Sequence, residues 1–268
     1  MDARLLADEL ARAFASRQTI TPPSVRDAAF DLTTAYAVER ELARMRRDLG
    51  RKTVGRKVGY ANKAVWRVMK LDTLVWASMY DDTVQFASGG HATLSIAKMI
   101  APKIEPEIVF KLKTPVGGDS AEAVLAATEW VALGFEIIDA PYPEWKFQPV
   151  DFVAAYGLHA ALLVGEPRVV TPDAIPTLAE QLPKFKVKLS RNGELVEEGS
   201  GRNSLRSPAL CVAELASAIA RRGDQEPLSA GELISTGTLT ESQLMTPGET
   251  WTAEVEGIEL APVTVTLI

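Results

Sequence analysis

The rhythm of apolar positions changes near residue 53, separating an α-rich beginning from a strand-rich remainder. Between residues 3 and 17, apolar side chains recur at Leu5, Leu6, Leu10, Ala13 and Phe14, the spacing that lays one stripe along a helix. Thr19-Ile-Thr-Pro-Pro-Ser ends it. A second helix is expected from about Thr33 to Leu49, with Ala35, Tyr36, Val38, Leu42 and Met45 inward and Gly50 as its stop. Thr53–Tyr60 then reads as a strand broken by glycines, and Asn62 caps a short helix to about Met69. Short β runs follow near Val84–Phe86 and Ala92–Ile96, and Lys103–Leu112 is a stronger strand. Asp119 or Ser120 caps a helix expected to reach about Leu133, where Gly134 hands over to a strand Phe135–Asp139. A helix over Asp151–Ala161 leads into an apolar run to Gly165. A β-hairpin follows, made of Phe185–Leu189 and Glu194–Glu198 around Asn192-Gly193. A helix Ser207–Arg222 and strands Glu232–Thr236, Thr250–Val255 and Val263–Ile268 complete the pattern. Helices and strands do not alternate strictly, so the expectation is an α+β fold rather than a doubly wound sheet. An α-rich segment 1–70 would precede a larger unit 71–268.

Bulk properties narrow the functional classes. The chain has 268 residues, 47% of them hydrophobic, enough for a full core. Its net charge of −6 lacks the basic balance of a nucleic-acid binder, so an anionic substrate would need local cations or a metal. The N-terminus has no signal-type apolar core and no run approaches the ~20 apolar residues of a membrane span, so a cytoplasmic protein is expected. The one cysteine, Cys211, lies in the apolar run Pro208-Ala-Leu-Cys-Val-Ala and reads as a small buried hydrophobe.

Four stretches could carry chemistry. In Glu105-Pro-Glu107, an extended strand puts both carboxylates on one face. Such neighbours repel unless a cation lies between them, and a hard divalent ion with oxygen ligands would resolve the repulsion. The other reading is a solvated edge strand marked by Pro106. Glu136, flanked by apolar residues in Phe135-Glu-Ile-Ile-Asp139, is either on a solvent face or held inside by a cation. Lys57, between Gly55 and Gly59, is either a turn lysine or a proton carrier with close backbone neighbours. Ser235-Thr-Gly237-Thr238-Leu-Thr240 follows a strand and is either a plain loop or a set of hydroxyls and N–H groups for an anion.

In this order, Val54-Gly-Arg-Lys-Val-Gly-Tyr, Lys103-Ile-Glu-Pro-Glu-Ile-Val-Phe, Leu133-Gly-Phe-Glu-Ile-Ile-Asp, and Glu232-Leu-Ile-Ser-Thr-Gly-Thr-Leu-Thr with the later Thr246-Pro-Gly-Glu-Thr resemble the fumarylacetoacetate hydrolase superfamily. The resemblance is to its 2-keto-4-pentenoate hydratase and 4-oxalocrotonate decarboxylase branch. It implies a twisted, mostly β core of the family's type behind the α-rich N-terminal part, and a homo-oligomer. It also implies that Glu105, Glu107 and Glu136 hold Mg²⁺ or Mn²⁺, that Lys57 is catalytic, and that a small 2-oxo acid is the substrate, with Thr238 contributing to its binding. The implied activity is hydration of 2-hydroxy-2,4-dienoates, as in aromatic catabolism. The alternatives are decarboxylation, carbon–carbon hydrolysis and a silent subunit partnering an active relative. Two stretches depart from the branch. Ala155-Tyr-Gly-Leu-His159 replaces a small polar run, which makes His159 a candidate acid or base, or else a structural residue. Arg206 stands where glycine is usual and could fork a second substrate carboxylate, or lie on the surface.

Overall fold

Aspartates start both long N-terminal helices by accepting the backbone donors that a first helical turn leaves free. The computed structural model describes residues 1–268. Asp2 accepts from Leu5 N at 3.0 Å ahead of α1 (Ala3–Ser16), and a single turn, α2 (Pro23–Arg26), follows. Asp31 accepts from Thr34 N at 2.8 Å ahead of α3 (Leu32–Asp48). Leu6, Leu10, Tyr36, Val38 and Leu42 from these helices are fully buried, as the apolar stripes require. Of the remaining helices, α4 (Lys63–Trp66), α5 (Ala121–Ala126), α6 (Pro149–Ala154) and α7 (Ile175–Gln181) are short. The last, α8 (Pro208–Arg222), stops at Gly223. No helix is long and apolar enough to cross a membrane.

The main sheet curls on itself. Its strand order is β2 (Val75–Tyr80), β1 (Thr53–Gly59), β11 (Leu233–Ser235), β5 (Lys103–Leu112), β6 (Thr128–Ile138), β7 (His159–Val164), β3 (Val84–Phe86). Two short strands attach to it: β8 (Arg168–Val169) on β6, and β12 (Gln243–Leu244) on β5. The edge strands β2 and β3 are joined by Asp81-Asp82-Thr83 alone, a connection that spans at most about 14 Å. The two edges therefore meet at this turn, where Thr83 N donates to Tyr80 O at 3.0 Å. The result is a nearly closed barrel with alternating inner and outer side chains. Ile104, Ile108, Phe110, Leu133, Phe135 and Ile137 face outward into the large core shared with the helices. Met79, Val109, Ala132, Leu162, Val164 and Leu233 form a separate apolar cluster inside. A second sheet, ordered β10 (Glu194–Ser200), β9 (Lys186–Arg191), β13 (Thr250–Glu256), β14 (Val263–Leu267), β4 (His91–Leu94), packs alongside. Its hairpin turns at Asn192 and Gly193, both left-handed, as the Asn-Gly pair predicts.

The α+β expectation holds, and the N-terminal helices are where the pattern put them. Several details differ. The helix expected to reach Leu133 ends at Ala126, because all ten residues of β5 find partners on β6 from Lys103↔Ile138 to Leu112↔Thr128. That pairing overrides the helical leaning of an Ala/Leu-rich stretch. The helix expected over Asp151–Ala161 ends at Ala154, and the chain turns through the left-handed residues Tyr156, Gly157 and Leu158 into β7. Strand β2 and helix α7 were not anticipated. The division expected at residue 70 meets no break in the sheet, since β1 lies between β2 and β11.

Candidate metal centre and the cavity above it

Register brings the acids together. Glu105 pairs directly with Glu136 across β5 and β6, and Glu107 lies two residues along on the same inner face. Carboxylate oxygens from the three lie within 4.8 Å of one another. Lys57 enters from β1, with Nζ 2.7 Å from Glu136 Oε2 and 4.9 Å from the centre of the Phe152 ring. Glu107, Glu136 and the Lys57 side chain are almost wholly buried, while Glu105 is half-buried at the base of a cavity. Gly157 makes room for the lysine: a Cβ there would lie 2.9 Å from Lys57 Cδ, and its φ of +58 suits glycine.

Each carboxylate has its own partners. Glu107 Oε2 accepts from Ser235 Oγ at 2.5 Å and from Gly237 N at 2.8 Å. The hydroxyl and N–H that sequence offered to some anion are thus turned on Glu107 itself. Gly237 reaches it with φ +87, and a Cβ would meet Ala61 at 2.8 Å. Glu136 Oε1 lies 2.8 Å from His159 Nδ1, and His159 Nε2 lies 2.9 Å from Thr83 Oγ1. A carboxylate only accepts, so Nδ1 carries the hydrogen. Burial pushes the Glu105 carboxyl up to about 7, with Lys57 opposing and Glu136 adding to the shift. Burial, then the charges of Glu136 and Glu105, drive Glu107 well above the usual carboxylate range. Burial also raises Glu136, but Lys57 and His159 outweigh it and hold this group low.

The site fits a hard divalent ion. Glu107 Oε1 is buried with no hydrogen-bond partner, and one lysine faces three carboxylates. Such an orphaned charge is costly in a water-poor interior unless a cation meets it. Oxygen ligands at about 2.0–2.6 Å place donors on opposite sides of an ion about 4–5 Å apart, which matches the spread of these three groups. Above the acids opens a cavity of about 760 Å³, walled by Tyr60, Trp145, Phe147, Phe152, Leu158 and Ile138.

Comparison with known proteins agrees with this arrangement. The fumarylacetoacetate hydrolase C-terminal family model matches residues 53–266. The chain belongs to the fumarylacetoacetate hydrolase family. It is 32% identical to 4-oxalocrotonate decarboxylase from Pseudomonas sp. (strain CF600), over 88% of this chain and 87% of that protein. It is 29% identical to 2-hydroxyhexa-2,4-dienoate hydratase from Comamonas testosteroni, over 93% and 92%. A solved 4-oxalocrotonate decarboxylase from Pseudomonas putida G7, complexed with magnesium and adipate, superposes with a TM-score of 0.88 at 29% identity, covering 99% of this chain and 97% of that one. The metal in that complex is divalent, in keeping with the acid set described above.

Against that family background, the positions singled out from sequence divide clearly. Lys57, Glu105, Glu107, Glu136 and His159 converge. Thr238 lines the cavity, but its hydroxyl donates to Thr240 O at 2.9 Å. His159 does not line the cavity, and both its ring nitrogens are engaged, with Glu136 and Thr83. Arg206 had two readings, a carboxylate fork and a surface residue. It follows the turn at 201–203 with φ +71, is exposed, and lies off the cavity wall. Cys211 is buried, with Sγ 3.2 Å from Thr236 O, as its apolar setting predicted. Sequence reasoning missed Thr83, Phe152 and Trp145. Nothing in their local spacing marks them, because only sheet register and chain folding bring them here.

Proposed function

We propose that this protein is a divalent-metal-dependent hydratase of 2-hydroxy-2,4-dienoates. The observation that carries the reading is the acid triad at the base of an aromatic-walled cavity, with Lys57 against Glu136. Relatives of similar identity carry both hydratase and decarboxylase names. The walls favour the first, since 4-oxalocrotonate brings a second carboxylate and Lys57 is the only cation lining the cavity.

A divalent ion held by Glu105, Glu107 and Glu136 would supply Lewis-acid polarisation of the bound 2-oxo acid, where negative charge grows during reaction. The chain's own residues do the rest. Tautomerisation removes the proton of the 2-hydroxyl and delivers one to C5, giving a 2-oxo-3-enoate. Water then adds at C4 and a proton is delivered to C3. Lys57 Nζ, at the junction of the triad and the cavity, holds and moves these protons. Trp145, Phe147 and Phe152 pack the unsaturated tail and limit the water that enters. Ser235, Gly237 and His159 hold Glu107 and Glu136 in place while charge shifts nearby.

The test is a turnover screen of the isolated protein, with magnesium and with chelator, on 2-hydroxydienoates, 2-oxo diacids and acylpyruvates. Metal-dependent 4-hydroxy-2-oxo acid formation is the expected result. Faster CO₂ release from a 2-oxo diacid, or carbon–carbon cleavage of an acylpyruvate, would replace the hydratase reading. No turnover would favour a silent partner subunit. The same reading carries a cytoplasmic homo-oligomer. Exposed Phe86, stacked edge-on against Trp130, and exposed Val169 are apolar surface that an assembly would cover, and light scattering reads the subunit number.

A further inference from the structure

The mouth of the cavity has a different chemistry from its base. At the base, Lys57 and a divalent ion held by the triad would together balance the three carboxylates, leaving no excess of positive charge beyond the substrate carboxylate's immediate contacts. Midway, the walls are aromatic and aliphatic. At the rim stand Glu197 and Glu198 of β10 and Glu241 of the segment after β11, with the neutral Asn203 and Ser242. Gln243 Nε2 donates to Glu197 Oε1 at 3.2 Å and Asn203 Nδ2 donates to Leu239 O at 2.8 Å, so the rim is tied together. No arginine lines this cavity. Of the nearby lysines, Lys103 lies over the Trp145 ring at 4.4 Å, and Lys188, the cross-strand neighbour of Glu198, bonds Glu256 at 2.5 Å and does not line the cavity.

We propose that Glu197, Glu198 and Glu241 are specificity-determining residues that admit 2-oxo acids with one carboxylate and an uncharged tail and turn away those with a second carboxylate. The proposal rests on the metal-centred base proposed above as the anchor of the first carboxylate. With that end anchored, the tail of a five- or six-carbon substrate runs outward along the apolar walls toward the rim. A second carboxylate there would give up water, find no counter-cation, and face three like charges. Glu198 and Glu241 are exposed and Glu197 half-buried, so salt screens the repulsion over a Debye length of about 10 Å at 0.1 M. The discrimination is therefore expected to shrink with ionic strength, which a purely steric filter would not show.

Calorimetric titration of the magnesium-loaded full chain with two probes, 2-oxopentanoate and 2-oxohexanedioate, tests this. At low salt the monoanion should bind at least about tenfold more tightly, and 0.5 M salt should close most of that gap. In the triple variant E197Q/E198Q/E241Q the ratio of the two affinities should fall by about tenfold. Equal affinities in the unaltered protein, or a ratio indifferent to both salt and the triple substitution, would overturn the proposal. The salt series needs no variant, so it decides even if the triple variant folds poorly. Failure of 2-oxopentanoate to bind in a magnesium-dependent way, checked against chelator, would instead overturn the metal-centred base and the proposal with it.

Discussion

Replacing Lys57 by methionine asks whether the lysine balances the triad or merely fills space. The side chain is 1% exposed and its Nζ stands 2.7 Å from Glu136 Oε2. At an effective dielectric of about 20, a unit pair at that distance is worth about 6 kcal/mol. Relief of the ammonium's own desolvation reduces this, and breaking a buried pair by removing one partner costs about 3–5 kcal/mol. At about 2 °C per kcal/mol for a chain of this length, Lys57→Met should lower Tm by about 6–10 °C in chelator. Methionine keeps most of the volume between Phe152 and Gly157, so packing changes little. The triad, now uncompensated, should attract a divalent ion more strongly, and magnesium should raise Tm more in the variant than in the parent. Differential scanning calorimetry with a magnesium series reads both quantities, and turnover should be lost at every concentration. A Tm loss of equal size with and without magnesium would refute the reasoning, because it would mean that Lys57 contributes packing and not charge.

Three other outcomes follow from the same geometry. Glu107→Gln keeps the shape but removes the charge beside an orphaned oxygen, and should weaken magnesium binding by calorimetry at least about 100-fold. His159→Ala and Thr83→Val act only through Glu136, and each should weaken magnesium binding about 10–100-fold, with Thr83→Val the milder. For pH, the Glu105 carboxyl must lose its proton to bind metal, so affinity should climb by up to about tenfold per pH unit toward about 7, and the raised Glu107 carboxyl should keep it climbing beyond. The same raised value means that the folded, chelated chain holds this proton more tightly than the unfolded one. Its contribution to stability is present below about 4.5 and is lost as pH rises through about 7, which urea melts across that window would register.

Part of this site was legible without coordinates, for reasons that differ residue by residue. Glu105 and Glu107 could be paired because a strand repeats every two residues, and β5 is long enough for that period to show. Glu136 could not be assigned a face from its neighbours, since both faces of β6 are buried and the usual polar–apolar alternation is missing. The resemblance placed it; register explains it. Strand β2 escaped notice for the same reason: Val75-Trp-Ala-Ser-Met-Tyr is buried on nearly every side and has no alternation to read. The stretch 119–133 misled because alanine and leucine favour a helix locally, while ten partners on β5 were waiting. The pairing of His159 with Thr83 joins residues 76 positions apart, and no local pattern encodes it.

Closure of the barrel and orientation of the metal ligands prove to be one structural problem. The turn Asp81-Asp82-Thr83 is short enough to bring the sheet's two edges together, and the Thr83 carbonyl at its end accepts from Leu162 of β7. The hydroxyl of that threonine receives Tyr80 N at 3.2 Å and faces His159, which in turn faces Glu136. Beneath the acids, Met79, Val109, Ala132, Leu162, Val164 and Leu233 fill the interior with side chains that cannot hydrogen-bond, so the far end of the barrel admits no water to solvate Glu107 or Glu136. A dry floor raises the cost of three adjacent charges, and it raises equally the gain when a divalent ion meets them. A loosened seam would then weaken metal binding twice, by freeing His159 from Thr83 and by letting water reach carboxylates whose affinity depends on its exclusion.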